Sequence, residues 1–372
     1  MIKRIFHPIG QGAFYSERHE GFNVVYDCGN WKNTKLADRV VKQAFLKNEV
    51  IDILFISHFD YDHVNKITTL KNHTKIKKVI MPLLHDDEKR LLVSLYKAVD
   101  FDIWSLIENP QEFFGSETQI ITIEPSENNA PIGDNVETID IDDINNNIQS
   151  GSILKKKFKS YEWIFIPHNY EYKNRNSELE NLLSEEGFDV VELKTDSTYA
   201  INKITSSRKK IKEIFDKVSG NINQNSMLLY SGLNCSNSSC KQEAFCFRYS
   251  FGCYRCNEEC HHMWCHRVLR KRNRVSCIYT GDADLNVVKI KSIFKTFWGS
   301  VGTIQIPHHG DLKSFDQSIL DHGGYCCPIS VGETNSYGHP SSELRAEILS
   351  KDSCPILVTE NLSSGFIEII KC

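Results

Sequence analysis

The chain has 372 residues, enough to bury the core of one large domain with insertions or of two smaller domains. With 40% hydrophobic and 25% charged residues it has an ordinary globular composition, and no apolar run approaches the roughly 18 residues of a membrane span. A net charge of −4 excludes global attraction to a polyanion, so any nucleic-acid contact must come from local basic clusters or bound cations.

The opening stretch MIKRIFHPIG lacks a secretory apolar region, and we expect a cytoplasmic protein whose thiols are reduced or held by metal. Short β-rich runs broken by glycine come first: IKRIF (2–6), GQGAFY (10–15) and FNVVYDCGN (22–30). An amphipathic stretch, KLADRVVKQAFLKN, precedes the strand IDILFISH, a helix from Val64 and the strand IKKVIMPLL. Strands alternating with helices predict an α/β layered fold with the helices outside. From 86 to 220 the pattern loosens into a variable middle region, with helices at DEKRLLVSLYKAV, NSELENLLSEEG and SSRKKIKEIFDKVSG. Its polar segment ETIDIDDINNNIQSGS (137–152) reads as an exposed loop. NSMLLYSG and VSCIYTGDADL then read as neighbouring strands separated by a cysteine-rich module (233–274). VGTIQIPHHGD, PISVGETNSYGHP, the helix SSELRAEILSK and CPILVTENLSSGFIEII complete what reads as one domain over 1–372.

The densest chemistry lies in SHFDYDH, where His58, Asp60, Asp62 and His63 follow a strand within one turn. Imidazole nitrogen with carboxylate oxygen suits zinc, manganese or iron, and ligands close in sequence lower the entropic cost of assembling a site. Two further strand ends offer donors: Asp282 in YTGDAD, and His308 with His309 in IPHHGD.

These motifs resemble the metallo-β-lactamase superfamily, whose first signature HxHxDH here reads HxDxDH. Together with GQG, YDCGN, NSMLLY, YTGDAD, IPHHGD and SVGETNSYGHP, the variant is similar to the hydrolase domain of the DNA-internalisation competence protein ComEC, over about 1–80 and 221–372. The resemblance implies a four-layer αββα sandwich with a metal site at one edge. It places His58 and Asp60 on a first metal, Asp62 and His63 on a second, Asp282 between them and His308 completing the second. The third-motif histidine has no counterpart in context among His73, His85 and His168. Val64 and Asn65 replace the glycine pair after DH, Lys313 is displaced by one position, and the competence protein's channel domains are absent.

Two divalent ions bring +4, while Asp60, Asp62, Asp282 and a hydroxide bring −4, so the inner shell is about neutral. His309, Lys313 and His339 are then the candidate cations for holding a phosphodiester, and the extra oxygen ligand moves metal preference from zinc toward manganese or magnesium. The expected reaction is hydrolysis by a metal-activated water, with Asp62 at the reacting centre. Nucleic acid is the leading substrate. Small esters, lactones or cyclic nucleotides are the enzymatic alternative, and a non-catalytic zinc-stabilised binding protein is the third reading.

Of thirteen cysteines, seven fall between Cys235 and Cys265. Cys253 and Cys256 form a CxxC knuckle followed by Cys260 and Cys265, a four-ligand set for a structural zinc; Cys235, Cys240 and Cys246 could serve a second. Arg267, Arg270, Lys271, Arg272 and Arg274, with aromatic residues interleaved before them, suggest nucleic-acid capture beside the catalytic edge. The bland alternative is a module core of its own rings and a solvated basic face.

Overall fold

The structure, a computed structural model, describes residues 1–98, 101–126, 129–133, 136–170, 175–195, 226–234, 242–248, 268–335 and 338–372. The zinc candidates Cys253, Cys256, Cys260 and Cys265, and Arg267, lie outside these residues.

The first half opens with an antiparallel meander, β1 (Ile2–Phe6), β2 (Phe14–His19) and β3 (Phe22–Cys28). Parallel strands β4 (Val50–Phe55), β5 (Lys75–Pro82) and β6 (Gln119–Ile123) follow. Strands β3 and β4 are apolar on both faces, as a parallel strand covered on both sides must be. Helix α1 (Lys35–Ala44) is capped by Thr34, whose hydroxyl accepts from Ala37 N at 3.2 Å, and buries Ala37, Val40, Val41 and Ala44. That spacing of three and four lines one helical face. Helices α2 (Tyr61–Val64), α3 (Ile67–His73), α4 (Asp86–Ala98) and α5 (Trp104–Glu108) continue the outer layer.

The middle region supplies framework to both sheets: β7 (Thr138–Asp140), β8 (Asn147–Ile148), β9 (Ile153–Lys157) and β10 (Glu162–His168). The segment expected as an exposed loop buries Ile141, Ile144 and Ile148 in the inter-sheet core. Its polar residues face water, but isoleucine spaced at three and four secures the other side.

The remaining strands are β11 (Leu228–Leu233), β12 (Glu243–Arg248), β13 (Val268–Arg272), β14 (Ser276–Tyr279), β15 (Val301–Ile304), β16 (Cys326–Ser330), β17 (Cys354–Val358) and β18 (Phe366–Lys371). Among the described residues a ten-stranded sheet runs β13-β12-β18-β1-β2-β3-β4-β5-β6-β8, and an eight-stranded sheet runs β17-β16-β15-β14-β11-β10-β9-β7. β11 and β14 pair antiparallel, as neighbouring strands should. Phe6, Tyr15, Tyr26, Phe165, Leu229 and Tyr279 fill the space between the sheets. A third apolar cluster packs the short helix Ile290–Ile293 and the helix Ser342–Ser350 on the outside of the second sheet, through Ile290, Ile293, Leu344 and Ile348. The result is the αββα metallo-β-lactamase fold implied by the motifs. No helix among the described residues is long and apolar enough to cross a membrane.

Candidate metal centre

Strands β3 and β4 are parallel neighbours and end together, which brings Asp27 beside the turn that begins at Ser57. Asp27 has φ 56°, the left-handed region that short polar side chains tolerate best after glycine. Its Oδ1 accepts from Ser57 N at 2.7 Å and its Oδ2 from Ser57 Oγ at 2.6 Å. Oδ2 also lies 2.8 Å from His63 Nδ1. A fully buried carboxylate with three partners thus anchors the histidine turn from beneath.

Two glycines let that turn sit close. A Cβ on Gly29 would lie 2.2 Å from Asp62 O, and one on Gly12, whose φ is +135°, would lie 2.6 Å from the same atom. The GQG and YDCGN turns therefore clamp α2, and Ala13 N bonds Asp62 O at 3.2 Å. Asn65, standing where the family often has glycine, braces the clamp: its Oδ1 accepts from Asn30 N at 2.9 Å and its Nδ2 donates to Asn30 O at 2.7 Å.

The second sheet delivers the other donors. The loop after β14 is held by Gln305, whose Oε1 accepts from Thr280 N at 2.7 Å and from Gly281 N at 2.8 Å. Ser226, just before β11, accepts from Asp282 N at 2.8 Å, and its hydroxyl is 3.0 Å from His58 Nδ1. After β15, His308 and His309 both adopt positive φ, 48° and 54°, and this tight turn sends their rings in different directions. His309 is buried, its Nδ1 2.9 Å from Ser330 O and its Nε2 2.9 Å from Asp62 Oδ2.

Two overlapping donor groups result: His58, His63 and Asp282, and Asp62, His63 and His309, all buried. His63 Nε2 lies 3.2 Å from Asp282 Oδ1, while His58 Nε2 lies 3.9 Å from Asp282 Oδ2 and 3.9 Å from Asp60 Oδ2. Burial disfavours charge on His63, but Asp282 and Asp27 push its pKa well above the ordinary histidine range. Asp62 and Asp282 are held below the usual carboxylate range despite burial, chiefly by His309 and His63 respectively. His309 is raised against burial by Asp62 and then Asp282.

The donor chemistry fits a cation. A backbone carbonyl only accepts, so His309 must give its Nδ1 proton to Ser330 O, and its Nε2 then faces a carboxylate with no second proton in the neutral ring. His63 stands in the same position between Asp27 and Asp282. Each ring must be charged or share its Nε2 lone pair with a cation, and the Nδ1 anchors orient that lone pair inward.

The tandem histidines sit differently from the expectation. His308, expected as a ligand, is partly exposed; its Nδ1 lies 3.7 Å from Asp311 Oδ2, and its backbone N bonds Asp282 Oδ1 at 3.2 Å. His309, expected as a substrate cation, is the one of the two that joins Asp62 and His63 in a donor group. Lys313 is exposed beside this turn, and the half-buried His339 has its ring 6.2 Å from that of His308. His73 bonds Phe45 O at 3.0 Å behind the first sheet, His85 is exposed at the start of α4, and His168 faces Phe294 on the outside of the second sheet. None of the three joins either donor group. Asp27, Ser57, Ser226, Gln305 and Ser330 received no role from the sequence; only Asp27, inside YDCGN, carried a signal, as an acid between a strand and a glycine.

The expected basic and cysteine-rich face is partly committed to structure. Lys271 pairs with Glu243 at 2.6 Å, Arg272 is buried against Glu368, and Arg274 bonds Gly323 O at 2.6 Å over the Tyr325 ring. Cys246, a candidate for a second zinc, is buried between the sheets beside Cys326.

Residues 12–141 match the family model described as Metallo-beta-lactamase superfamily. No curated protein matches the chain. Similar solved structures include the metallo-beta-lactamase fold protein YhfI from Bacillus subtilis, 8% identical over 99% of this chain and 100% of that one with a TM-score of 0.35. Another is MEM-A1, a subclass B3 metallo-beta-lactamase isolated from a soil metagenome library, 10% identical over 46% of this chain and 56% of that one with a TM-score of 0.22.

Proposed function

The chain carries a metallo-β-lactamase superfamily domain, and from that premise we propose a metal-dependent phosphodiesterase that hydrolyses nucleic acid in the cytoplasm. The carrying observation is the pair of buried histidines, His63 and His309, each pinned at Nδ1 and facing a carboxylate through Nε2. Divalent ions held by His58, Asp60, Asp62, His63, Asp282 and His309 would supply Lewis acidity and a hydrolytic nucleophile at neutral pH. Asp60 adds an oxygen donor where the usual signature has imidazole, which favours manganese or magnesium over zinc.

The chain's own residues then have distinct tasks. Asp27, Ser57 and Ser226 fix the His58 and His63 rings, so little reorganisation is left to the moment of reaction. Asp62 is held between the α2 clamp and His309. His308, Lys313 and His339 would line the rim that meets a substrate phosphate outside the donor groups, with Lys313 as its cation where a near-neutral inner shell needs help. Nucleic acid as substrate is supported by the motif order shared with the competence hydrolase domain. A structural zinc on Cys253, Cys256, Cys260 and Cys265 completes the proposal.

The test is hydrolysis of labelled single-stranded and double-stranded DNA, of RNA and of a panel of small esters, lactones and cyclic nucleotides, with elemental analysis alongside. Asp62→Ala and Asp282→Ala should abolish nucleic-acid cleavage and lower the metal content with the circular dichroism spectrum kept, and Cys253→Ser should remove one zinc. Full cleavage by both aspartate variants would overturn the reading. Turnover of the small molecules alone would move the substrate class to the alternative.

A further inference from the structure

A second group of chemically active side chains lies between the sheets, away from the donor groups. Cys246 on β12 and Cys326 on β16 are both buried, with their Sγ atoms 3.7 Å apart. Glu368 on β18 approaches Cys246 Sγ through Oε1 at 3.6 Å. The trio has the composition of a metal site, but Glu368 is already engaged. Its Oε2 accepts from Arg4 Nη1 at 2.8 Å, and its Oε1 accepts from Thr303 Oγ1 at 2.6 Å and from Arg272. Two buried guanidinium groups repel a divalent ion and take up the carboxylate it would need. With Glu368 taken up in this way, the two sulfurs are left facing each other, as a thiol pair open to oxidation.

We propose that Cys246 and Cys326 are an oxidation site, closed by hydrogen peroxide into a disulfide that joins the two sheets. The Cys326 thiolate attacks one peroxide oxygen, the O–O bond breaks, and a sulfenic acid and hydroxide form. Cys246 sulfur then attacks the sulfenic sulfur; the S–S bond forms, the S–O bond breaks and hydroxide leaves. Both hydroxides take up the two thiol protons, so two thiols are oxidised by two electrons while the peroxide is reduced to two waters. Beyond geometry, the contact between the two sulfurs draws the Cys326 thiol below its usual range and pushes the Cys246 thiol above its own, so Cys326 is the one of the pair that gives up its proton. Closing the pair requires the sulfurs to approach to about 2.05 Å, less than 2 Å of movement shared by two side chains. The pair lies one strand in from the edge of the second sheet: Cys354 on the edge strand β17 is the register partner of Cys326 and is partly exposed. The cross-link would fix one end of β16, whose other end, Ser330, holds His309.

The test uses the metal-loaded full chain, treated with hydrogen peroxide under native conditions, quenched with N-ethylmaleimide and mapped by mass spectrometry without reduction. The expected product is a Cys246–Cys326 linked peptide lacking two hydrogens, lost on treatment with dithiothreitol, with a higher thermal midpoint before reduction. Recovery of both residues as maleimide adducts when other cysteines have been oxidised would overturn the proposal. So would Cys326 as sulfinic acid, or linked to another cysteine with Cys246 free. Cys354→Ser should leave the linkage in place; a Cys354–Cys326 link as the stable wild-type product counts against the pair.

Discussion

His308 and His309 share a backbone twist, yet only His309 turns into the donor groups. His309→Ala should therefore bind one metal equivalent fewer than wild type and lose hydrolysis, whereas His308→Ala should keep its metal and show mainly a higher KM; elemental analysis with steady-state kinetics separates the two. Sequence alone could not choose between these neighbours, because the choice depends on two successive positive φ angles and on Ser330 waiting across β16. Asp27→Asn should weaken metal affinity by about 10- to 100-fold without emptying the site, measured by competition with a chelating dye. His168 gives a prediction in pH. Burial depresses its pKa from 6.5 to about 4, so the native state binds fewer protons than the unfolded chain between those values. The stability contributed is fully present above about pH 6.5 and is lost as the pH falls toward 4, about 3 kcal/mol in all. Denaturant unfolding of wild type against His168→Leu at pH 7 and pH 5 should show the smaller pH dependence in the variant.

At the scale of elements, the four residues of α2 are too short to be stable by themselves and depend on the two turns that clamp them. Gly29→Ala puts a methyl group against Asp62 O with no room to yield. It should destabilise the fold by about 3 kcal/mol and reduce metal content, while Gly21→Ala, where a Cβ meets nothing but has φ +72°, should lower stability and leave metal content unchanged. Denaturation midpoints and elemental analysis check both. The turns themselves were legible as GQG and YDCGN, but their shared partner was not, since the contact spans more than thirty residues. The middle region shows the same limit. Ile141, Ile144 and Ile148 lie within a run of aspartate and asparagine that hides a buried face, and only pairing with β6 and β9 makes that face visible.

Across the whole molecule the two sheets are tied by buried charge as well as by apolar packing. Arg4 on β1 bonds Glu17 Oε1 at 2.7 Å and Glu368 on β18, while Glu17 also accepts from Ser231 Oγ at 2.7 Å and Tyr279 OH at 2.9 Å of the opposite sheet. Removing one charge strands the others, so Glu368→Gln should cost about 3–5 kcal/mol, read from urea unfolding at pH 7. The layered architecture was legible because alternating strands and helices with strand-end motifs leave few other arrangements; this ionic core was not, since its members are isolated charges in otherwise apolar strands.

Asp62 and His309 are 247 residues apart in the chain. At synthesis rates of about 5–20 residues per second, roughly 10 to 50 seconds separate their emergence from the ribosome. Throughout that interval the nascent N-terminal half presents an acidic turn with half its partners unmade. An ion that requires Asp62 and His309 together can be captured only once translation has passed the tandem histidines, so loading of that donor group waits until most of these residues have been made.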